Sequence, residues 1–141
     1  MHDFHFIMHG LENLEKAVVR AGAQADAAAA ANVKIASLTL VKDAQANFQG
    51  SHKKGEPHVG GNKPNIVTGN LRRSIMPDSL RHISMGAYTT NVGPTMKYGR
   101  RVELGMAPHG GAYPYFGPAA AKLRLEMAAV ATANWARFIK F

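Results

Sequence analysis

From Leu11 onward, apolar or small residues fall at positions 11, 14, 18, 21, 25, 28, 32 and 35. The steps alternate between three and four, which is the spacing of a helix seam. Most of the seam is alanine, so whatever packs there comes close, and Asn32 is its one polar member. Val33, Ala36, Leu40, Ala44 and Phe48 form a second stripe on a different side. A single helix over 11–48 would run about 57 Å, whereas a compact chain of this length has a diameter of about 37 Å. The helix therefore breaks near Gly22 or projects beyond its own core, and a projecting apolar helix needs a partner chain. Ahead of it, Asp3-Phe4-His5-Phe6-Ile7-Met8 alternates at period two and predicts a short half-buried strand, ended by Gly10.

Beyond the long helix, periodicity is lost in Gly50–Pro64, where glycine, proline and lysine dominate; this predicts a long flexible basic loop over 50–65. Thr68-Gly69-Asn70 reads as a turn leading into a short amphipathic segment. Leu80–Met85 and Ala87–Val92 read as two strands about Gly86, with Gly93-Pro94 closing the pair. Thr95 is a candidate cap for a helix over Met96–Leu104 that Gly105 ends. Tyr98 and Val102, four apart, would share its buried face. After another loop over Ala107–Gly117, Pro118 suits the first turn of a last helix reaching Phe138. Leu123, Met127, Val130 and Phe138 make one stripe of that helix and Leu125, Trp135 and Ile139 another. Trp135, Phe138, Ile139 and Phe141 form an aromatic end, suited to the chain's own core or to another subunit. The pattern is α+β: a long N-terminal helix and a C-terminal helix packed on a small antiparallel sheet.

The chain has 141 residues, 46% of them hydrophobic, which fits one domain over 1–141. Charged residues make up only 18%, below the usual quarter, which points to surface covered by other subunits. The net charge of +8 favours a polyanionic neighbour, nucleic acid or an acidic protein face. There is no cysteine, so disulfides, thiol catalysis and cysteine-bound zinc are excluded. No apolar run has the length of a membrane span, and Met1–Phe6 lacks the form of a signal peptide. A soluble protein made in a cytoplasm is expected, with no membrane partner.

No catalytic constellation emerges. His109-Gly110-Gly111 has the look of an esterase oxyanion loop, but no Gly-x-Ser-x-Gly elbow accompanies it. In Gly55–Lys63, Gly61 stands where a phosphate-binding loop needs lysine. His2, His5 and His9 have no matched acidic ligands, and no acidic pair is arranged for acid/base work. We expect no catalytic residue, no metal and no cofactor. Lys53, Lys54 and Lys63, with Arg72 and Arg73 nearby, are candidates for contact with phosphates or with a partner protein. Such contacts give salt-dependent affinity without base specificity. The alternative function is thus a non-specific basic nucleic-acid-binding protein.

Four ordered segments resemble the small tail-component or neck family of siphophage-like viruses and prophages. They are His9-Gly10-Leu11-Glu12-Asn13-Leu14 after an extended start, Thr68-Gly69-Asn70-Leu71-Arg72-Arg73-Ser74-Ile75, Val92-Gly93-Pro94 with Tyr98–Gly105, and Pro114-Tyr115-Phe116-Gly117-Pro118-Ala119. The chain departs from the family pattern at Gly99, at Met106 and at the tyrosine between Pro114 and Phe116. The resemblance implies a virion protein of the head–tail junction, present in the host cytoplasm during assembly. It implies a homo-oligomeric ring of six subunits, or of twelve, around a double-stranded DNA channel. The neighbours would be portal, adaptor or stopper proteins on one side and tail-tube or tail-terminator proteins on the other. It brings no catalytic residues; Tyr98, Glu103, Gly105, Pro114 and Phe116 match its motif positions and are expected to shape the fold and subunit contacts. Trp135 joins them as an interface candidate.

Overall fold

A computed structural model describes residues 2–105 and 111–139, without the side chains of residues 2–12. Helix α1 (His2–Ala46) is continuous for 45 residues, about 67 Å. The expected strand over 3–8 is therefore corrected to helix, and neither Gly10 nor Gly22 breaks it. Each glycine costs only about 1 kcal/mol relative to alanine, and a helix already nucleated adds one hydrogen bond per further residue. The short alternating run has no partner strand to compete with that.

After α1, the 50–64 loop carries little regular structure, but its base is closed. Gln49 N–H donates to the Pro64 carbonyl (3.0 Å) and Ile66 N–H to the Gly50 carbonyl (2.9 Å). Helix α2 (Asn70–Ser74) follows Gly69, whose positive φ of 75° makes the turn read at Thr68–Asn70. Two antiparallel strand pairs come next. β1 (Ile75–Pro77) pairs with β4 (Val92–Pro94), Ile75 opposite Pro94, and β2 (Arg81–Ser84) pairs with β3 (Ala87–Thr89), His82 opposite Tyr88. The expected strand Ala87–Val92 is thus split between two small sheets. Thr90 and Asn91 make the change of direction: Thr90 Oγ1 donates to the Asp78 carbonyl (2.8 Å) and Asp78 N–H to the Asn91 carbonyl (2.8 Å). Gly93-Pro94, expected to close a hairpin, lies inside β4.

Helix α3 (Gly99–Leu104) starts three residues later than the Met96 expected, at Tyr98 rather than a Thr95 cap, and ends at Gly105 in the left-handed region as anticipated. Helix α4 (Phe116–Phe138) ends where expected but begins two residues inside the expected 107–117 loop, so that Pro118 lies in its first turn. It lies antiparallel to α1, as two contacts fix: Asn134 Nδ2 donates to Asn32 Oδ1 (2.9 Å), and Lys122 Nζ sits 3.4 Å from Asp43 Oδ2. The polar member of the α1 seam is thereby satisfied by an asparagine of α4.

The core is small. Ala44, Phe48, Leu71, Ile75, Tyr115 and Ala119 form its buried centre, with Leu40, Val41, Ile66, Val102 and Phe116 against it. It gathers the C-terminal end of α1, α2, β1 and the start of α4, leaving the N-terminal half of α1 outside. Met106, His109, Gly110 and Phe141, and the side chains of His2, His5 and His9, fall outside what is described.

Candidate functional site

The residues singled out on α3 and at the start of α4 converge on one junction. α4 begins without a side-chain cap of its own, which leaves its first N–H groups in need of acceptors. Glu103 supplies them from α3. One carboxylate oxygen accepts from the N–H groups of Tyr115 (2.8 Å) and Phe116 (2.9 Å), and the other from that of Gly117 (2.7 Å). A carboxylate at a helix N-terminus is further favoured by the macrodipole. Gly117 keeps the approach open, since a Cβ there would stand 3.0 Å from the Glu103 oxygen.

Tyr115 is buried at this junction, 1% exposed. Its hydroxyl donates to the Gly99 carbonyl (3.1 Å), and its ring lies 5.0 Å from that of Phe48. Burial, then the Glu103 charge, pushes its phenol up to about 12. Gly99, a departure from the family pattern, has a reason here: a Cβ would fall 2.6 Å from Pro94 Cγ and 2.9 Å from the Tyr115 hydroxyl oxygen. The tyrosine between Pro114 and Phe116 fills the space that a side chain at 99 would take. Gly105 is equally constrained, by a φ of 64° and by the Ala112 backbone nitrogen, which a Cβ there would strike. Phe116 packs on the core and Pro114 is half-buried.

Tyr98 departs from expectation. It is half-exposed rather than on a buried face, and it lines a cleft of about 420 Å³ with Val102, Phe48, His52, His58, Arg72 and Tyr113. Loop and junction meet there, because the His58 ring stacks on Tyr113 with centroids 4.0 Å apart.

The five basic candidates are not gathered into one patch by their contacts. Arg72 stands on the cleft wall, while the Arg73 guanidinium folds back onto the Thr68 carbonyl (3.2 Å) and Asn70 Oδ1 (2.9 Å). Lys53 and Lys54 are exposed on a turn where Glu56 accepts the Lys53 N–H (2.9 Å). Lys63 is half-buried near Gln49, Gly50 and Val59. No group of three or more metal-ligating side chains occurs among the described residues, and no helix described is long and apolar enough to cross a membrane.

The chain matches no family model, no curated protein and no solved structure.

Three polar anchors escaped the sequence reading. Asp26 of α1 accepts the Gly86 N–H (2.7 Å) and the Tyr88 hydroxyl (2.6 Å), with His82 Nε2 at 3.7 Å, and so moors the β2–β3 hairpin to α1. The Gly86 and Tyr88 hydrogen bonds, in that order, hold its carboxyl below the ordinary value of 3.8. Asn65 staples the loop through the Val59 N–H (2.7 Å), the Gln49 carbonyl and the Val59 carbonyl. Asn47 Nδ2 donates to the Tyr115 carbonyl (2.9 Å). None has a local signal, since each acts on a partner distant in sequence.

Surface is the remaining feature of note. Every residue from Asn13 to Arg20 is exposed, Leu14, Val18 and Val19 among them. On α4, Ala121, Leu125, Ala128, Ala129, Thr132, Trp135 and Ala136 are exposed together. Trp135, 48% exposed, borders a shallow depression with Ala131, Thr132 and Ala136.

Proposed function

We propose that this chain is a structural ring subunit of the head–tail junction of a long-tailed bacteriophage. It joins the capsid's portal complex to the tail tube around the DNA channel, and its work is binding rather than catalysis. One observation carries the assembly part of this reading. The chain exposes 10211 Å², whereas a folded monomer of its mass exposes about 7,100 Å². The excess of about 3,100 Å² is as much as obligate subunits bury. The place in the virion rests on the resemblance of the four ordered segments. The Glu103 junction supports that resemblance, because residues from two of the segments, Gly99, Glu103 and Gly105 with Tyr115 and Gly117, build one interlocked unit.

The alternative, a free-standing nucleic-acid binder, draws support from the charge. Asp26, Asp43, Glu56 and Glu103 are each engaged within the chain, whereas Lys53 and Lys54 face solvent. Sedimentation across a concentration series, with electron microscopy of native particles, separates the two. A closed ring located between capsid and tail supports the connector. A concentration-independent monomer, absent from particles and binding DNA with a steep salt dependence, overturns it in favour of the alternative.

A further inference from the structure

The Asn32–Asn134 and Asp43–Lys122 contacts set α4 alongside the C-terminal half of α1. The β2–β3 hairpin then covers α1 around Gly22 and Asp26. N-terminal to that point the described side chains of α1, residues 13–20, are all exposed, and the arm from residue 2 to residue 20 is about 28 Å long. Yet the arm is patterned for packing. Leu14, Val18, Ala21 and Ala25 continue, at the same alternating spacing, the seam that Ala28 and Asn32 present to the rest of the chain. Leu14 is 59% and Val18 62% exposed. A helix of this length draws most of its stability from packing an amphipathic face, and in one chain Leu14 and Val18 lie largely in water.

The second unpartnered face is on α4. Its inner side, Leu123, Met127, Val130 and Asn134, is turned to α1 and at least half-buried. Its outer side carries Ala121, Leu125, Ala128, Thr132 and Trp135, spaced four, three, four and three. No charged residue interrupts that seam, and Leu125 is 85% exposed. The open arm positions Leu14 and Val18 are four apart, as are Ala121 and Leu125 and again Ala128 and Thr132 on α4, with small residues there able to receive Leu14 and Val18.

We infer that the projecting arm of α1 in one copy docks on the outer face of α4 in a second copy of this chain. The inference rests on the ring reading above and gives it an interface. Arm and α4 face are different patches of one chain, so each copy can donate its arm to one neighbour and receive the arm of another, a head-to-tail contact that gives a ring where the rotation closes. It also uses area of the size at hand, since the excess of about 3,100 Å² per chain suffices for one arm donated and one received.

The chain has no cysteine, which makes cross-linking clean. Val18→Cys and Leu125→Cys are prepared separately, mixed, and treated with a short bis-maleimide. Within one chain these positions lie far apart, because Val18 is about 21 Å along α1 from Asn32, the residue opposite Asn134. A covalent dimer from the mixture and from neither variant alone is the expected result. Val18→Cys linking to itself would mean arm on arm and would overturn the inference. In parallel, Leu14→Asp and Leu125→Asp, at exposed sites, should stay folded, with a cooperative thermal transition by circular dichroism, and sediment as monomers. Should both variants remain oligomeric, another face builds the ring: this interface is then wrong while the ring stands. A wild-type chain that stays monomeric at every concentration takes down the ring reading and this inference with it.

Discussion

At the scale of single residues, the junction of α3 and α4 depends on one carboxylate. Glu103 accepts three N–H groups that α4 cannot satisfy itself. Glu103→Ala is expected to lower the unfolding free energy by about 1–3 kcal/mol, read as a shifted urea midpoint at unchanged slope. Glu103→Gln keeps an acceptor oxygen and should lose less. Tyr115 gives a pH dependence of opposite sense to the usual carboxylate. Its folded value of about 12 lies above the ordinary 10.0, so the folded state disfavours the phenolate. The contribution is whole below pH 10.0 and is lost as pH rises towards about 12. Urea midpoints across the alkaline range should therefore fall for the wild type and fall less steeply for Tyr115→Phe, which starts lower for want of the hydrogen bond to Gly99.

Among the elements, the β2–β3 hairpin is tied to α1 through a single carboxylate. Its strand residues are exposed or half-buried, and Asp26 is its polar mooring to α1. Because the Gly86 N–H and the Tyr88 hydroxyl depress the Asp26 pKa, the mooring is present above the ordinary 3.8 and lost as pH falls through the lower folded value. The Gly86 amide is expected to exchange slowly at neutral pH, and quickly in acid or in Asp26→Ala. Slow exchange in that variant would show that apolar contact alone holds the hairpin. This element also marks the boundary of what the sequence discloses. Helix α4, the turn at Gly69, the stop at Gly105 and the loop after Gly50 follow from local chemistry and were legible. The split of Ala87–Val92 between two sheets depends on Asp78 and Thr90, and the mooring on a carboxylate 60 positions away. Such pairings leave no periodicity to read. The candidate site divides in the same way: Glu103 and Gly105 stood out through resemblance, but the capping role of Glu103 exists only once α3 is folded against α4.

For the whole molecule, the balance between a small core and a large surface links stability to assembly. Few side chains larger than alanine are deeply buried within the described residues, while Leu14, Val18, Leu125 and Trp135 stay in water in the single chain. A chain that completes its burial only against copies of itself is stabilised by mass action, so its melting temperature depends on concentration. For a ring of about six, each tenfold rise in concentration is worth about 1 kcal/mol per subunit, or on the order of 3 °C for a chain of this size. Differential scanning fluorimetry over a hundredfold concentration range should show that slope for the wild type. Leu125→Asp should melt lower and at one temperature throughout, because the single chain neither gains nor loses partners on dilution. A flat wild-type profile would mean that the small core suffices alone. The long α1 arm would then serve a partner other than a second copy.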